Sequence, residues 1–397
     1  MEDGRGEMDE GPFANETIPA ILSGAQKRLV FGQNGFAIDA YKLLAKGNAG
    51  FCFSPASIWF LLGILRSCTA GVTADEIAEV LAFPTQSSTQ TAIGELLKIS
   101  NFESAERKVR ISNGLWFEQT LPLNLILLEQ LERDFLIEAK PIYFSLEPDE
   151  TRLAINLWVA NRTNNLIPNL LQPGNVTAQT QLTLVNAFYF KATWRYPFGN
   201  GEPDQCPFHC SDGSIANPPI MSGTMRLHYL RAEGFQAVKL PYYVGETEMV
   251  VILPDRRDGL AAVESQLDFE GVANLFLTLD EAEVVSVAAT LPKFRMSSRF
   301  EVGEILSSLG IRHLLGPDAD FSPITSAPLA ENSVLHEAFI EINESGTEAA
   351  AATVLVERSM HYNPIIFRAD HPFLYMIRDQ RTGMILFMGR YTGEGSE

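Results

Sequence analysis

The chain has few cysteines, no long hydrophobic run and no excess of positive charge. Its 397 residues include 30 Lys and Arg against 49 Asp and Glu, which gives a formal net charge of -19 at pH 7. A nucleic-acid-binding protein usually carries a basic stripe. This sequence shows none, and we expect no nucleic-acid partner. No stretch reaches 18 consecutive apolar residues, so we expect no membrane-spanning helix.

The four cysteines do not form a disulfide framework. Cys52 and Cys68 lie in apolar surroundings and are interpreted as free buried thiols. Cys206, His209 and Cys210 form the motif CPFHC, which supplies only three ligands for a zinc ion with no second cluster to complete the set. In an extended strand the two cysteines of this motif are too far apart to bridge. We therefore predict no metal site, no cofactor and no need for an oxidising compartment.

Catalytic motifs are also absent. The chain contains no G-x-S-x-G, H-E-x-x-H or P-loop motif, and no G-x-G-x-x-G after a strand. Its six histidines have no spacing that supports a catalytic pair. We expect a protein that is not an enzyme.

The sequence does not decide between an extracellular and a cytoplasmic location. The acidic N-terminus has no apolar core typical of a secretory signal. Three sequons mark candidate glycosylation sites at Asn15, Asn161 and Asn175. These sites favour an extracellular or surface-associated protein, whereas the missing signal leaves a cytoplasmic one possible.

Hydrophobic periodicity predicts an α+β protein with mostly antiparallel sheet. Residues 1–26 have little pattern and are predicted to be a loose arm, with one domain over 27–397. Helix signals dominate the first half. They comprise a face of Phe31, Phe36, Tyr41 and Leu44, a start at Ser54–Pro55, and a capping box from Thr73 to Glu76. A short helix that stops at Gly310 is predicted among the later strands. Strands are predicted at 109–117, 182–194, 236–243, 248–254, 284–294, 338–343, 372–379 and 384–391.

The stretch ESGTEAAAAT, residues 344–353, fits neither pattern well. Gly346 permits unusual backbone angles and can act as a hinge. In an extended chain, the small side chains of Thr347, Ala349, Ala351 and Thr353 fall on one side. Such a segment can slide between two strands without overpacking the layer beneath. A surface alanine helix is the alternative that this window leaves open.

Several other motifs, in chain order, accompany this stretch. They are FSPASI (53–58), INLWVANRT (155–163), NAFYFKATWRYPF (186–198), LPKFRM (291–296), VLHEAFIEINESGTEA (334–349) and FRADHPFLYMIRDQRTGMILFMGRY (367–391). Together they resemble the serpins, the serine protease inhibitor superfamily, over residues 29–391. The resemblance implies one domain of three β-sheets and eight or nine helices, with an exposed reactive-centre loop at about 345–364.

The resemblance also implies roles for individual residues. Glu344 and Lys293 match a charged pair where the main sheet opens, called the breach. The polar cluster beneath the sheet centre, called the shutter, matches Ser54, Ser57, Asn186 and His336. The hinge matches Glu344, Gly346, Thr347, Glu348, Ala349, Ala350, Ala351, Ala352 and Thr353. A sequon at Asn343 lies beside the hinge and is predicted to stay unglycosylated, because a glycan there would obstruct insertion.

The usual loop length of the family places the reactive bond at Met360–His361. Methionine favours proteases with apolar primary pockets, of the elastase or chymotrypsin type. The alternative bond, Arg358–Ser359, suits trypsin-like enzymes.

The resemblance implies an irreversible suicide inhibitor, monomeric, that forms a covalent acyl-enzyme with a serine protease. Heparin activation is not expected, because Lys98 is the only cation in the segment that matches the family's basic helix. A non-inhibitory serpin acting as a carrier or chaperone is the alternative function.

Overall fold

The computed structural model of the protein describes residues 22–83, 89–200, 206–243, 246–329, 335–347 and 363–393. These residues form nine helices. They are α1 (Gly24–Leu44), α2 (Pro55–Cys68), α3 (Gly71–Val80), α4 (Thr89–Ser100), α5 (Leu125–Phe135), α6 (Pro148–Arg162), α7 (Leu260–Ser265), α8 (Phe269–Glu281) and α9 (Val302–Leu309).

The same residues form eighteen strands. They are β1 (Phe51–Phe53), β2 (Phe102–Glu103), β3 (Arg107–Glu118), β4 (Ile137–Ile142), β5 (Leu182–Thr193), β6 (Gly199–Asn200), β7 (Phe208–His209), β8 (Ile215–Ala216), β9 (Ile220–Ala232), β10 (Phe235–Pro241), β11 (Thr247–Pro254), β12 (Val284–Pro292), β13 (Phe294–Glu301), β14 (Leu335–Asn343), β15 (Gly346–Thr347), β16 (Ile365–Arg368), β17 (Phe373–Asp379) and β18 (Ile385–Tyr391). All eight predicted strands are present.

The strands make three sheets. A nine-stranded sheet has the order β1-β18-β17-β11-β10-β9-β12-β16, with β6 beside β9. A seven-stranded sheet has the order β13-β14-β15-β5-β3-β2, with β4 beside β3, and β7 pairs with β8. Within the described ranges only the β3–β4 and β12–β16 ladders are parallel. The prediction of mostly antiparallel sheet is confirmed.

Helix α2 lies at the centre of the core. It begins as predicted, with Ser54 accepting a hydrogen bond from the Ser57 amide and Pro55 in the first turn. Twelve of its 14 residues are buried, including Trp59 and Phe60. Because α2 is apolar on nearly every side, it packs between the two large sheets and other helices.

Two helix predictions were wrong in detail. Helix α1 begins at Gly24, capped by Ser23, inside the stretch assigned to a loose arm. Its buried face includes Phe36 and Tyr41, but Phe31 is 60% exposed. Helix α3 begins at Gly71 without a side-chain cap, so the proposed capping box does not form. The two side chains predicted to form the box make tertiary contacts instead. Thr73 accepts a hydrogen bond from the Asp320 amide, and Glu76 is hydrogen-bonded to His313.

Helix α6 lies across the seven-stranded sheet, where the resemblance placed it. The ring of Trp158 meets that of Trp116 on β3 edge to face, with centroids 5.0 Å apart. Ile155 and Val159 share this cluster with Val185 of β5. The helix therefore covers β3 and β5, and Phe339 of β14 packs against the same cluster.

Candidate functional site at the opening of the seven-stranded sheet

The seven-stranded sheet contains a two-residue strand near its middle. Gly346 and Thr347 form β15, which lies between β14 and β5 and is hydrogen-bonded to both. In the described part of the chain, β14 and β5 have no ladder with each other. The first hinge residues thus occupy a slot between the two strands.

The backbone at Gly346 requires glycine. Its φ angle is +147°, a conformation that residues with a side chain rarely adopt. A Cβ atom there would overlap the carbonyl oxygen of Ala192 on β5. Any larger residue would therefore push β15 away from the strand with which it pairs.

Thr347 is held in the slot by a buried hydroxyl contact. Its side chain is 2% exposed, and its Oγ1 shares a hydrogen bond of 2.7 Å with the Tyr242 Oη. Burial raises the pKa of the Tyr242 phenol, which therefore keeps its proton. The Tyr242 ring stacks on Trp194, with centroids 4.5 Å apart and planes within 8°.

Trp194 also holds the chain that leads into β15. Its Nε1 donates to the Asn343 carbonyl oxygen at 2.9 Å, and its backbone N–H donates to the Ser345 carbonyl at 2.8 Å. The Phe198 amide donates to the Glu344 carbonyl. The turn between β14 and β15 is thus fixed by three hydrogen bonds from the segment that follows β5.

Lys293 and Glu344, the residues predicted to form the breach pair, are in contact. Lys293, which follows β12, donates from Nζ to the Glu344 carboxylate at 2.6 Å. Partial burial acts to raise the pKa of Glu344, but the hydrogen bond and charge of Lys293 outweigh it and the pKa is lowered. The side chains are 29% and 22% exposed, so solvent screens the pair and it contributes about 0–1 kcal/mol.

The structure brings the four predicted shutter residues together. The Ser54 amide donates to His336 Nε2 at 3.1 Å, and the Ser54 Oγ donates to the Leu386 carbonyl at 2.8 Å. Ser57 donates from its hydroxyl to the Asn186 side-chain oxygen. This cluster joins α2 to β14 and β5, the two strands that flank β15.

Within this cluster His336 is neutral. Burial lowers the pKa of its imidazole to about 4. Nε2 accepts a hydrogen from Ser54, so the ring proton of the neutral form is on Nδ1.

Three residues of these sites were not identified from the sequence. Asn113 of β3 accepts from Asn186 Nδ2 at 2.8 Å and extends the shutter to a third strand. Trp194 and Tyr242 complete the breach. Trp194 lies within the motif NAFYFKATWRYPF, which could have identified it from the sequence. Tyr242 contacts Thr347, 105 residues further along the chain, and no local pattern around Tyr242 indicates this contact.

Much of the predicted loop lies outside the described residues. This applies to Glu348, Ala349, Ala350, Ala351, Ala352, Thr353, Arg358, Ser359, Met360 and His361, and to the sequon at Asn15. The two other candidate glycosylation sites are placed. Asn161 is exposed in the last turn of α6, and Asn175 is exposed in a turn. Asn343 accepts from the Ser345 amide through its side-chain oxygen.

The remaining sequence features are also placed. Cys52, Cys68 and Cys210 are buried, Cys206 is half-buried, and all four are free thiols. No group of three metal-binding side chains occurs among the described residues. Over the same residues, no helix combines the length and apolar character needed to span a bilayer.

The family model described as serpin, serine protease inhibitor, matches residues 32–393. The chain belongs to the serpin family. An uncharacterized serpin-like protein of Thermococcus kodakarensis is 34% identical over 378 residues, which cover 93% of this chain and 87% of that protein. Serpin B6 of Macaca fascicularis is 32% identical over 367 residues, with 90% of this chain and 97% of that protein covered.

Solved serpin structures have the same fold. AtSerpin1 of Arabidopsis, in its native stressed conformation, superposes with a TM-score of 0.79 at 26% identity and covers 93% of this chain and 98% of its own. The predicted serpin fold, with nine helices and three sheets in the described ranges, is confirmed. Membership supports protease inhibition, rather than catalysis, as the general function.

Proposed function

We propose that this serpin is an irreversible suicide inhibitor of a serine protease. The observation that supports this most strongly is β15, the two hinge residues already paired between β14 and β5. The sequence of the hinge agrees with this, because it has a small residue at Thr347 and no proline from Glu344 to Thr353.

The register of β15 predicts where an inserted loop would lie. Thr347 pairs with Ile342 of β14 and with Ala192 of β5, and both ladders are antiparallel. Each further loop residue therefore advances one position along both strands. Continued in this register, Thr353 comes to lie between His336 and Asn186, which are the two shutter residues on the flanking strands.

The side chains of the loop suit this path. Thr347 points inward to Tyr242, so Ala349, Ala351 and Thr353 would point inward as well. All are small, and a strand with a small inward face adds little volume to the packed core. Glu348 would point outward beside Lys191.

The free energy of insertion comes mainly from new backbone hydrogen bonds. Each is worth about 0.5–1.5 kcal/mol net, so about ten of them supply on the order of 10 kcal/mol. The Lys293–Glu344 pair, at about 0–1 kcal/mol, is too weak to prevent insertion by itself. A kinetic barrier must therefore keep the loop out of the sheet before cleavage.

The proposed reaction starts at Met360–His361. The serine hydroxyl of the protease attacks the Met360 carbonyl carbon, and the bond to the His361 nitrogen breaks. The nitrogen leaves with a proton from the protease's general acid, and Met360 remains as an ester on the serine. Insertion then carries the acyl-enzyme along the sheet before water hydrolyses the ester. The alternative bond Arg358–Ser359 would direct the same sequence at trypsin-like enzymes.

The test is incubation with pancreatic elastase, chymotrypsin and trypsin, read by denaturing gel and by the mass of the released C-terminal peptide. We expect a complex of summed mass with elastase or chymotrypsin and a peptide that begins at His361. A peptide beginning at Ser359 moves the target class to trypsin-like enzymes. Cleavage without any complex contradicts the inhibitory proposal.

A hinge variant separates insertion from cleavage. In Thr347→Arg, a guanidinium would have to enter the slot beside Tyr242, which costs several kcal/mol unless it is paired. We expect this variant to be cleaved as a substrate. Ser345→Arg is the matched control, because the half-buried Ser345 side chain precedes the slot, and it should still form complex.

A further inference from the structure

The outward surface of β9, β12 and β16 carries positive charge in an otherwise acidic protein. Cross-strand pairing sets Arg226 beside Ser286, Ile366 beside Ala288, and Arg368 beside Thr290. Arg226, Ile366 and Arg368 are exposed, whereas the alternating neighbours Leu227 and Phe367 are buried. The three exposed residues therefore share one surface, here called the β16 face.

The two arginines of the β16 face have no carboxylate partner in the part of the chain that the structure describes. The Arg226 guanidinium donates to the Val284 carbonyl oxygen at 3.2 Å. Several other exposed cations are neutralised, as in the Arg256–Asp258 and Arg295–Glu341 pairs. No acidic residue occupies an outward position of the three strands in the segments 222–226, 286–290 and 366–368.

The position of this face relates it to the reactive bond. Met360 precedes Ile365 by five residues, and a chain spans at most about 3.6 Å per residue, so the bond lies within about 18 Å of β16. A protease domain of about 220 residues has a radius of gyration of about 17 Å. An enzyme bound at Met360 must therefore come close to the β16 face.

We propose that the β16 face is a second contact for the target protease and selects enzymes with an acidic surface beside the active site. This rests on the proposed function. Ile366, 61% exposed, gives the contact an apolar centre between the two charges. The chain as a whole has a net charge of -19, so the rest of its surface repels such an enzyme and leaves this face as the favourable approach.

The test compares two proteases that share specificity and differ in charge. In a Met360→Arg background, association rates are measured with anionic and cationic pancreatic trypsin. We expect Arg226→Glu/Arg368→Glu to slow the anionic enzyme about tenfold at low salt. The loss should disappear near 1 M salt, where the Debye length is about 3 Å. The cationic enzyme should be unaffected or faster, which also shows that the variant is folded.

Lys42→Glu/Lys98→Glu, on α1 and α4, is the control, because it reverses two exposed charges outside β9, β12 and β16 and so changes the net charge by the same amount. Equal effects of this control and of Arg226→Glu/Arg368→Glu on the anionic enzyme would reduce the proposal to net charge and overturn it. An Arg226→Glu/Arg368→Glu protein that leaves both rates unchanged would also overturn it. If the Met360→Arg protein forms complexes but the β16 face has no effect, the docking proposal alone fails. If neither trypsin forms a complex, the proposed function fails and the docking proposal fails with it.

Discussion

The hydroxyl groups of Thr347 and Tyr242 lie 2.7 Å apart, and both side chains are buried. This contact joins Thr347, the second residue of β15, to the turn between β10 and β11, which carries Tyr242. The hinge of this serpin is thus attached to the core before any cleavage, and its side-chain attachment at Thr347 is a neutral hydrogen bond.

Removing the Tyr242 hydroxyl should loosen the hinge. Tyr242→Phe leaves the Thr347 Oγ1 buried without this partner, which costs about 1–3 kcal/mol. We expect a lower urea midpoint for the first unfolding transition. Thr347→Val combined with Tyr242→Phe removes both hydroxyls, and the double variant should lose less stability than the two single losses added together. Strict additivity would show that the contact contributes nothing.

The register of β15 can be tested at the shutter. Thr353→Phe would place a ring between Asn186 and His336 and cost about 1–3 kcal/mol of overpacking. A barrier raised by this amount slows insertion roughly 5- to 150-fold relative to deacylation. We expect the stoichiometry of inhibition to rise, measured as the ratio of cleaved protein to complex. Glu348→Phe is the control, because the same register points residue 348 outward beside Lys191. A larger effect at residue 348 than at residue 353 would contradict the register.

Acid should weaken the shutter through His336. The pKa of this imidazole is about 4 in the folded protein, against 6.5 for an unperturbed histidine. The unfolded chain binds more protons between these values, so stability is complete above pH 6.5 and is lost as the pH falls toward 4. The difference between the two pKa values corresponds to about 3 kcal/mol. Urea midpoints at pH 7, 5.5 and 4.5 should fall more steeply for the native protein than for His336→Gln. Parallel curves would exclude His336 as the cause.

The breach pair should contribute little. A double-mutant cycle with Lys293→Met and Glu344→Gln is expected to give a coupling of about 0–1 kcal/mol, because both groups are partly exposed. The pKa of Glu344 is lowered from the ordinary glutamate value of 4.5. The pair therefore stabilises the fold above pH 4.5, and this contribution is lost as the pH falls below 4.5. A coupling above about 2 kcal/mol, or one that does not weaken with salt, would contradict the expectation of a weak, solvent-screened pair.

The sequence predicted much of this arrangement, for identifiable reasons. Strand boundaries near 182–194 and 384–391 follow from β-branched and aromatic runs, which are local signals. The start of α2 follows from Ser54 and Pro55, whose capping geometry is equally local. Motif resemblance then related Lys293 to Glu344, which no local pattern could join.

The failures have a common cause. The Thr73–Glu76 capping box did not form because Asp320 and His313, far along the chain, bind these side chains instead. Phe31 is exposed because the face of α1 depends on which neighbours pack against it, and helical periodicity alone did not identify that face. Asn113 and Tyr242 were missed because each acts only through a partner on another strand.

The sequence by itself determined the elements, the serpin family and the small-residue character of the hinge, since these depend on composition, spacing and motifs. Only the tertiary structure decided that Gly346 and Thr347 pair between β14 and β5, that the register leads toward Asn186 and His336, and that Arg226 and Arg368 share a surface. Pairing register and shared faces are relations between segments distant along the chain. They are set by close packing and by hydrogen bonds that form only once those segments meet.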